Sequence, residues 1–186
     1  MSSLSETEID IESGDEIEAF WELARRGVGL GRLGVIVGPS PSESVPPPAW
    51  AFGDSPKLAD ELLDLVLMGT KTATSSGAWE YDDEAPMPAE GDLSIILDGR
   101  GHPRALVRTT SIRVVPFAEV DADFAALEGE DDLSLEAWRA GHEVYFTRGL
   151  AARGATFDAS MPVVLELFEV TFPSPGHGAH RGSRSV

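Results

Sequence analysis

The sequence has no cysteine. That excludes a disulfide framework, a thiolate metal site and a cysteine nucleophile. It has no apolar run of about 18 residues and no basic leader ahead of an apolar segment, so neither a membrane span nor a signal peptide is expected. A soluble cytoplasmic protein is the expectation. Positive charge is scarce: 14 Lys and Arg stand against 32 Asp and Glu, for a net charge of −18 at neutral pH. A surface of that sign repels phosphate backbones, so duplex DNA is not an expected partner. Lysine is scarcer still, represented only by Lys57 and Lys71.

What is present suits one domain with tails. The 186 residues are 42% hydrophobic, enough for a core. Residues 1–14 are acidic and read as a disordered arm. From about Asp15, Ile17, Phe20, Trp21, Leu23 and Ala24 recur at helical spacing, and Gly27 ends the pattern. The rest of 15–49 is rich in Pro, Ser and Gly and reads as a linker, with a short strand pattern over Gly34–Gly38. The compact domain is expected over 50–172 and a disordered tail over 173–186.

Within the domain, Ser55-Pro56 is a helix start: a capping hydroxyl, then proline where no amide hydrogen is needed. Leu58, Leu62, Leu65 and Val66 form the face of a helix that runs to Met68. Residues 92–115 read as a hairpin around Gly99-Arg100-Gly101. A short helix is expected over Asp121–Leu127, and a second after the cap Ser134, with Leu135, Trp138, His142 and Tyr145 on one stripe. Met161–Phe172 alternates as a closing strand. Several strands with intervening helices and no βαβ repeat suggest an α+β fold on a small mixed β-barrel.

The stretch Gly69-Thr70-Lys71-Thr72-Ala73-Thr74-Ser75-Ser76 sets a lysine among five hydroxyl residues at a helix exit. Two readings of Lys71 stand. It is a cation near the helix C-terminus behind a C′ glycine, or it is a working lysine, which unlike arginine can lose its proton when desolvated.

The ordered series Phe52-Gly53, Ala59-Asp60-Glu61-Leu62-Leu63, Gly69-Thr70-Lys71-Thr72-Ala73-Thr74, Glu90-Gly91-Asp92, Glu128-Gly129 and Trp138-Arg139-Ala140-Gly141-His142 with Tyr145-Phe146 resembles an ASCH domain. The resemblance covers roughly Trp50 to Phe172 and implies a PUA-like β-barrel with flanking helices and a cleft beside the Gly-x-Lys loop. Members of the family have been assigned RNA binding, ribonuclease activity and hydrolysis of the acyl amide of N4-acetylcytidine. The amidohydrolase members imply a catalytic set here of Lys71, Thr74 and Glu128. The threonine hydroxyl needs an adjacent base to attack. The lysine would be that base or an oxyanion-stabilising cation, and the glutamate would pass a proton to the leaving amine. One difficulty is visible at once: residues three apart on a regular strand face opposite ways, so Lys71 and Thr74 converge only if a turn or bulge intervenes.

Other residues carry paired readings. Trp79 and Tyr81 either stack a base or anchor a loop on the core. His142, on an apolar stripe, is a core histidine or a substrate-binding one, as is Tyr145 in its own way. Thr72 shares a strand face with Thr74, and Arg108 and Arg113 face a ligand or water. Glu128 lies in an acidic run, where solvated carboxylates are the rule. No second histidine or carboxylate stands at ligand spacing to His142, so no metal is expected, and no cofactor. The expected ligand is a small nucleoside or single-stranded RNA. Three activities follow: amide hydrolysis of an N4-acylcytidine-type substrate, non-catalytic binding of RNA or a modified nucleotide, or RNA cleavage in the same cleft. Lys71→Arg is expected to abolish turnover without loss of stability.

Overall fold

The computed structural model describes residues 4–27, 45–83 and 85–174, with side chains in the first helix from residue 14 on. The expected strand at 34–38, most of the Pro/Ser-rich linker and nearly all of the tail lie outside the described residues. Among the described residues four helices and five strands follow one another in the order α1 (Leu4–Gly27), β1 (Ala49–Trp50), α2 (Pro56–Met68), β2 (Ala73–Gly77), β3 (Leu93–Leu97), β4 (Pro103–Pro116), α3 (Ala122–Glu128), α4 (Leu135–Ala152) and β5 (Pro162–Phe172). Single 3-10 turns stand at Ala78–Glu80 and Phe117–Glu119. Helix α1 takes in most of the stretch expected to be a disordered arm.

The strands form one mixed sheet in the order β1-β3-β4-β5-β2. β1 runs parallel to β3, while β3 pairs antiparallel with β4 and β2 antiparallel with β5. Among the described residues no ladder joins β1 to β2, so the sheet is open where a closed barrel was expected. The two edge strands have two and five residues, too short for the staggered pairing that closure requires.

The chain divides into two compact units. The first comprises Met1–Leu67, Leu93–Arg108 and Val170–Val186. Here the apolar face of α1 meets the sheet: Trp21 and Ala24 pack with Ile95 and Leu106, with Phe20 edge-on to Phe172. Ser55 caps α2 by accepting from the Leu58 amide, as the Ser-Pro start predicts. The Asp60 carboxylate of α2 accepts from the Gly99 amide in the β3–β4 turn.

The second unit comprises Met68–Asp92 and Thr109–Glu169. Its core is Ala73, Val163 and Leu165 from the β2–β5 ladder, Phe117 and Val120, Phe124 and Ala125 from α3, and Trp138 and Phe146 from α4. Asp121 and Ser134 cap α3 and α4 through the Phe124 and Ala137 amides. The buried stripe of α4 runs Trp138, Phe146, Leu150, not through Tyr145, which is 40% exposed. The i+4 step from His142 lands on Phe146, and a residue one position earlier is turned by about 100° out of the stripe.

Candidate functional site

The site is assembled wholly within the second unit, where the exit of α2 meets the end of α3. Gly69 ends α2 in the left-handed conformation (φ 77°), the expected C′ role. The lysine two residues on is not left at that helix end. Lys71 is 1% exposed, and its Nζ lies 2.9 Å from Glu128 Oε2 and 2.6 Å from Glu130 Oε1. Glu128 is also 1% exposed, against the rule for acids in an acidic run, while Glu130 remains 29% exposed. The ammonium is therefore held between a buried carboxylate and one that reaches solvent.

Glu128 has three further neighbours. Its Oε1 accepts from Ser75 Oγ at 2.6 Å and from Trp138 Nε1 at 2.9 Å. His142 Nε2 stands 3.6 Å from the same oxygen, and its Nδ1 lies 2.9 Å from the Trp138 carbonyl oxygen. The His142 ring stacks on the Trp138 indole with centroids 4.2 Å apart. Burial alone pushes the Glu128 carboxyl up. The charges of Lys71 and His142, with the Ser75 and Trp138 hydrogen bonds, outweigh burial and hold it below the ordinary carboxylate range.

The backbone fixes this approach. The Thr72 amide donates to the Leu127 carbonyl at 2.9 Å, tying the entry of β2 to the last turn of α3. Gly129, with φ 74°, follows at once, and a Cβ there would meet the Thr70 carbonyl oxygen at 2.6 Å. Only glycine satisfies both the left-handed conformation and the close crossing. Asp131 and Leu133 also have positive φ, 49° and 66°, so the loop carrying Glu130 is conformationally demanding throughout.

The expected set is brought together in part. Lys71 and Glu128 meet, with His142 beside them. Thr74 does not join. Lys71, Ala73 and Ser75 share one face of the strand by its period of two, so the hydroxyl that reaches Glu128 is that of Ser75. Thr74 stands on the other face, opposite Glu166 in the β2–β5 register. Thr72 is held at the α3 end, its Oγ1 3.4 Å from the Leu127 carbonyl oxygen. Trp79 packs edge-on against Phe146, centroids 5.4 Å apart, and its carbonyl accepts from Arg153, so it anchors its loop on the core. Tyr145 lies on the exposed side of α4 with its ring against Phe146. Arg108 belongs to the first unit, in register with Leu93, and Arg113 pairs with Asp121 at 3.1 Å. The full burial of Lys71 also revises the expected neutrality of Lys71→Arg, because a larger head group must now enter a packed site. Ser75, Glu130 and the Trp138 indole were not singled out from sequence. Ser75 alone carried a signal, lying four residues from Lys71 at matching strand parity. Among the described residues no group of three or more His, Asp or Glu is placed to hold a metal ion.

The ASCH domain family model matches residues 48–171. The chain belongs to the ASCH domain family. Among solved structures it is similar to the ASCH domain from Lactobacillus crispatus JV V101, with 29% identity over 78% of this chain and 94% of that one and a TM-score of 0.64. It is also similar to protein EF3133 from Enterococcus faecalis V583, with 32% identity over 84% of this chain and 92% of that one and a TM-score of 0.68. No curated protein matches it. The domain's relatives thus share most of their length with it, and the buried Lys71–Glu128 pair lies on the Gly-x-Lys and Glu-Gly segments that carried the resemblance. No helix of the described residues is long and apolar enough to cross a membrane.

Proposed function

We propose that this ASCH domain hydrolyses the amide of a small substrate of the N4-acylcytidine type. The observation that carries the reading is a buried lysine Nζ shared between two carboxylates, one of which also accepts a serine hydroxyl at 2.6 Å. In this reading the acyl carbonyl oxygen takes the place of the part-exposed Glu130 carboxylate on Lys71 Nζ. The ammonium then stabilises the oxyanion that forms on attack. Ser75 Oγ attacks the acyl carbon and its proton passes to Glu128. As the C–N4 bond breaks, Glu128 returns that proton to the leaving amine, and water hydrolyses the acyl-serine. His142 and Trp138 orient Glu128. Ser75 takes the hydroxyl role in place of Thr74 because it lies on the same side of the chain as Lys71 and reaches Glu128 at the end of α3.

The test is release of cytidine from N4-acetylcytidine by the purified protein. Ser75→Ala is expected to abolish release and Thr74→Ala to spare it. The reverse pattern would return the hydroxyl role to Thr74, and no release by folded protein at high concentration would refute amide hydrolysis. A second reading, a non-catalytic binder of RNA or a modified nucleotide, is favoured by the burial of Lys71 and Glu128 themselves. There the pair only pins β2 to α3. Salt-sensitive retention of single-stranded RNA without turnover would support it.

A further inference from the structure

The two carboxylates on Lys71 Nζ are held in different ways. Glu128 is committed. Its Oε2 faces Nζ, its Oε1 takes the Ser75 hydroxyl and the Trp138 indole N–H, and the whole side chain is buried. It cannot leave without stranding those donors in the core. Glu130 makes its 2.6 Å contact from the solvent side, with 29% of its side chain exposed. Among the described residues only Lys71 donates to its carboxylate. Asp131, Asp132 and Leu133, which follow it, are all exposed, and the Leu133 amide closes the turn on the Glu130 carbonyl. The Glu130 carboxylate can therefore exchange its ammonium partner for water by rotation of its own side chain, with the core of the unit undisturbed.

What that rotation uncovers is an ammonium already set up for a carboxylate. The Lys71 side chain is buried, so water serves its charge poorly, and a negative group on the Glu130 side is favoured over none. The form of the position is set by the group that fills it: a planar carboxylate with one oxygen on Nζ and its stem leading out to solvent. The Glu128 carboxylate on the same nitrogen limits the charge that can enter, which disfavours phosphate dianions. The space is that of one carboxylate and its methylene, so the fitting ligand is a short-chain acid.

We infer that the position of Glu130 on Lys71 Nζ is a binding site for a small monocarboxylate, which the chain's own Glu130 occupies as a tethered competitor. A tethered group is present at high effective concentration, so it lowers the apparent affinity of a free acid in proportion to the time it spends on the ammonium. The acid freed by acyl hydrolysis is one such ligand. That clause alone rests on the amide-hydrolysis reading; the binding site rests on the geometry at Nζ. Where both hold, the acid product lingers on the ammonium after turnover, and Glu130 expels it by returning.

The chain's two lysines make the test selective. With isotope-labelled lysine, Lys71 and the exposed Lys57 give two side-chain signals, and Lys57 is the internal control. Sodium acetate is titrated into the full chain against sodium chloride at equal ionic strength, for the parent, Glu130→Ala and Glu130→Gln. Acetate is expected to shift the Lys71 signal saturably and to bind Glu130→Ala roughly tenfold or more tightly than the parent, because the competitor is gone. Glu130→Gln leaves a neutral oxygen for Nζ and should fall between. The melting temperature of Glu130→Ala should rise with acetate, as binding to the folded state requires. A Lys71 signal that acetate leaves unmoved in Glu130→Ala, or that chloride moves as far, would overturn the site. Equal affinity in the parent and in Glu130→Ala, with the fold shown intact by circular dichroism, would overturn the tethered competitor. The cytidine-release assay separates the two readings. Saturable acetate binding in a protein that releases no cytidine would support the site and refute amide hydrolysis. Turnover that acetate does not inhibit, with Lys71 unmoved, would do the reverse.

Discussion

Replacing Lys71 by methionine removes the ammonium and keeps an unbranched side chain in its channel. Glu128 is then left 1% exposed with its Oε2 unpaired, while Oε1 keeps the Ser75 and Trp138 bonds. At 2.9 Å and an effective dielectric near 20, the lost attraction is about 6 kcal/mol before desolvation is counted. Breaking buried pairs costs about 3–5 kcal/mol net. Glu130 also loses its partner, but it reaches water and adds little. The expected loss is therefore about 3–5 kcal/mol, or roughly 6–20 °C in Tm at this chain length. Urea denaturation followed by tryptophan fluorescence measures it, with Trp138 on Glu128 as the local reporter. In Lys71→Met/Glu128→Gln both charges are gone, and at least about 2 kcal/mol of the loss should return as a coupling term. A single mutant within about 1 kcal/mol of the parent, with additive behaviour in the double, would refute the claim that the pair is buried and coupled.

Three further outcomes follow from the same geometry. Lys71→Arg keeps the charge but overpacks the site, so melting should fall by the equivalent of about 1–3 kcal/mol along with any turnover, whereas an unchanged melt would mean the site has room. Gly129→Ala forces a Cβ against the Thr70 carbonyl at a positive φ and should cost on the order of 1–3 kcal/mol in urea denaturation, with a near-neutral result contradicting the close crossing. Because the folded-state Glu128 carboxyl is held low, its contribution is present above the unfolded value of about 4.3 and is lost as pH falls below it. Acid titration of the parent should therefore show a steeper loss of stability below that point than titration of Glu128→Gln, and parallel curves would count against the depressed value.

Local features were legible in the sequence because local chemistry decides them. The Ser55-Pro56 start, the Asp121 and Ser134 caps and the strand closing at Phe172 come from residues a few positions apart. Helix α1 begins at Leu4, ahead of the helix start read at about Asp15. The open sheet was not legible, since closure depends on edge-strand length and stagger. At the site, Glu128 was legible only through family resemblance. Its acidic neighbours argue for solvation, and the residue that buries it, Trp138, offers its indole N–H from a helix that composition marks only as apolar. Glu130 carried no signal, because its role depends on a loop with three left-handed residues. The separation of Thr74 from Lys71 was visible in strand parity, and the structure follows parity.

The Lys71–Glu128 contact joins residues 57 apart in the chain. Closing a flexible loop of that length costs roughly 3–4 kcal/mol of chain entropy before any contact returns free energy. Neither half of the contact can form early without the other, because each would bury a lone charge. The start of β2 and the end of α3 must therefore order in a single event. Hydrogen exchange should register that unity: the amides of Thr72 and Gly129, bonded to Leu127 and Ala126, should open together at one free energy. The centre of this domain is in that sense a latch, shut by two distant stretches of chain at once.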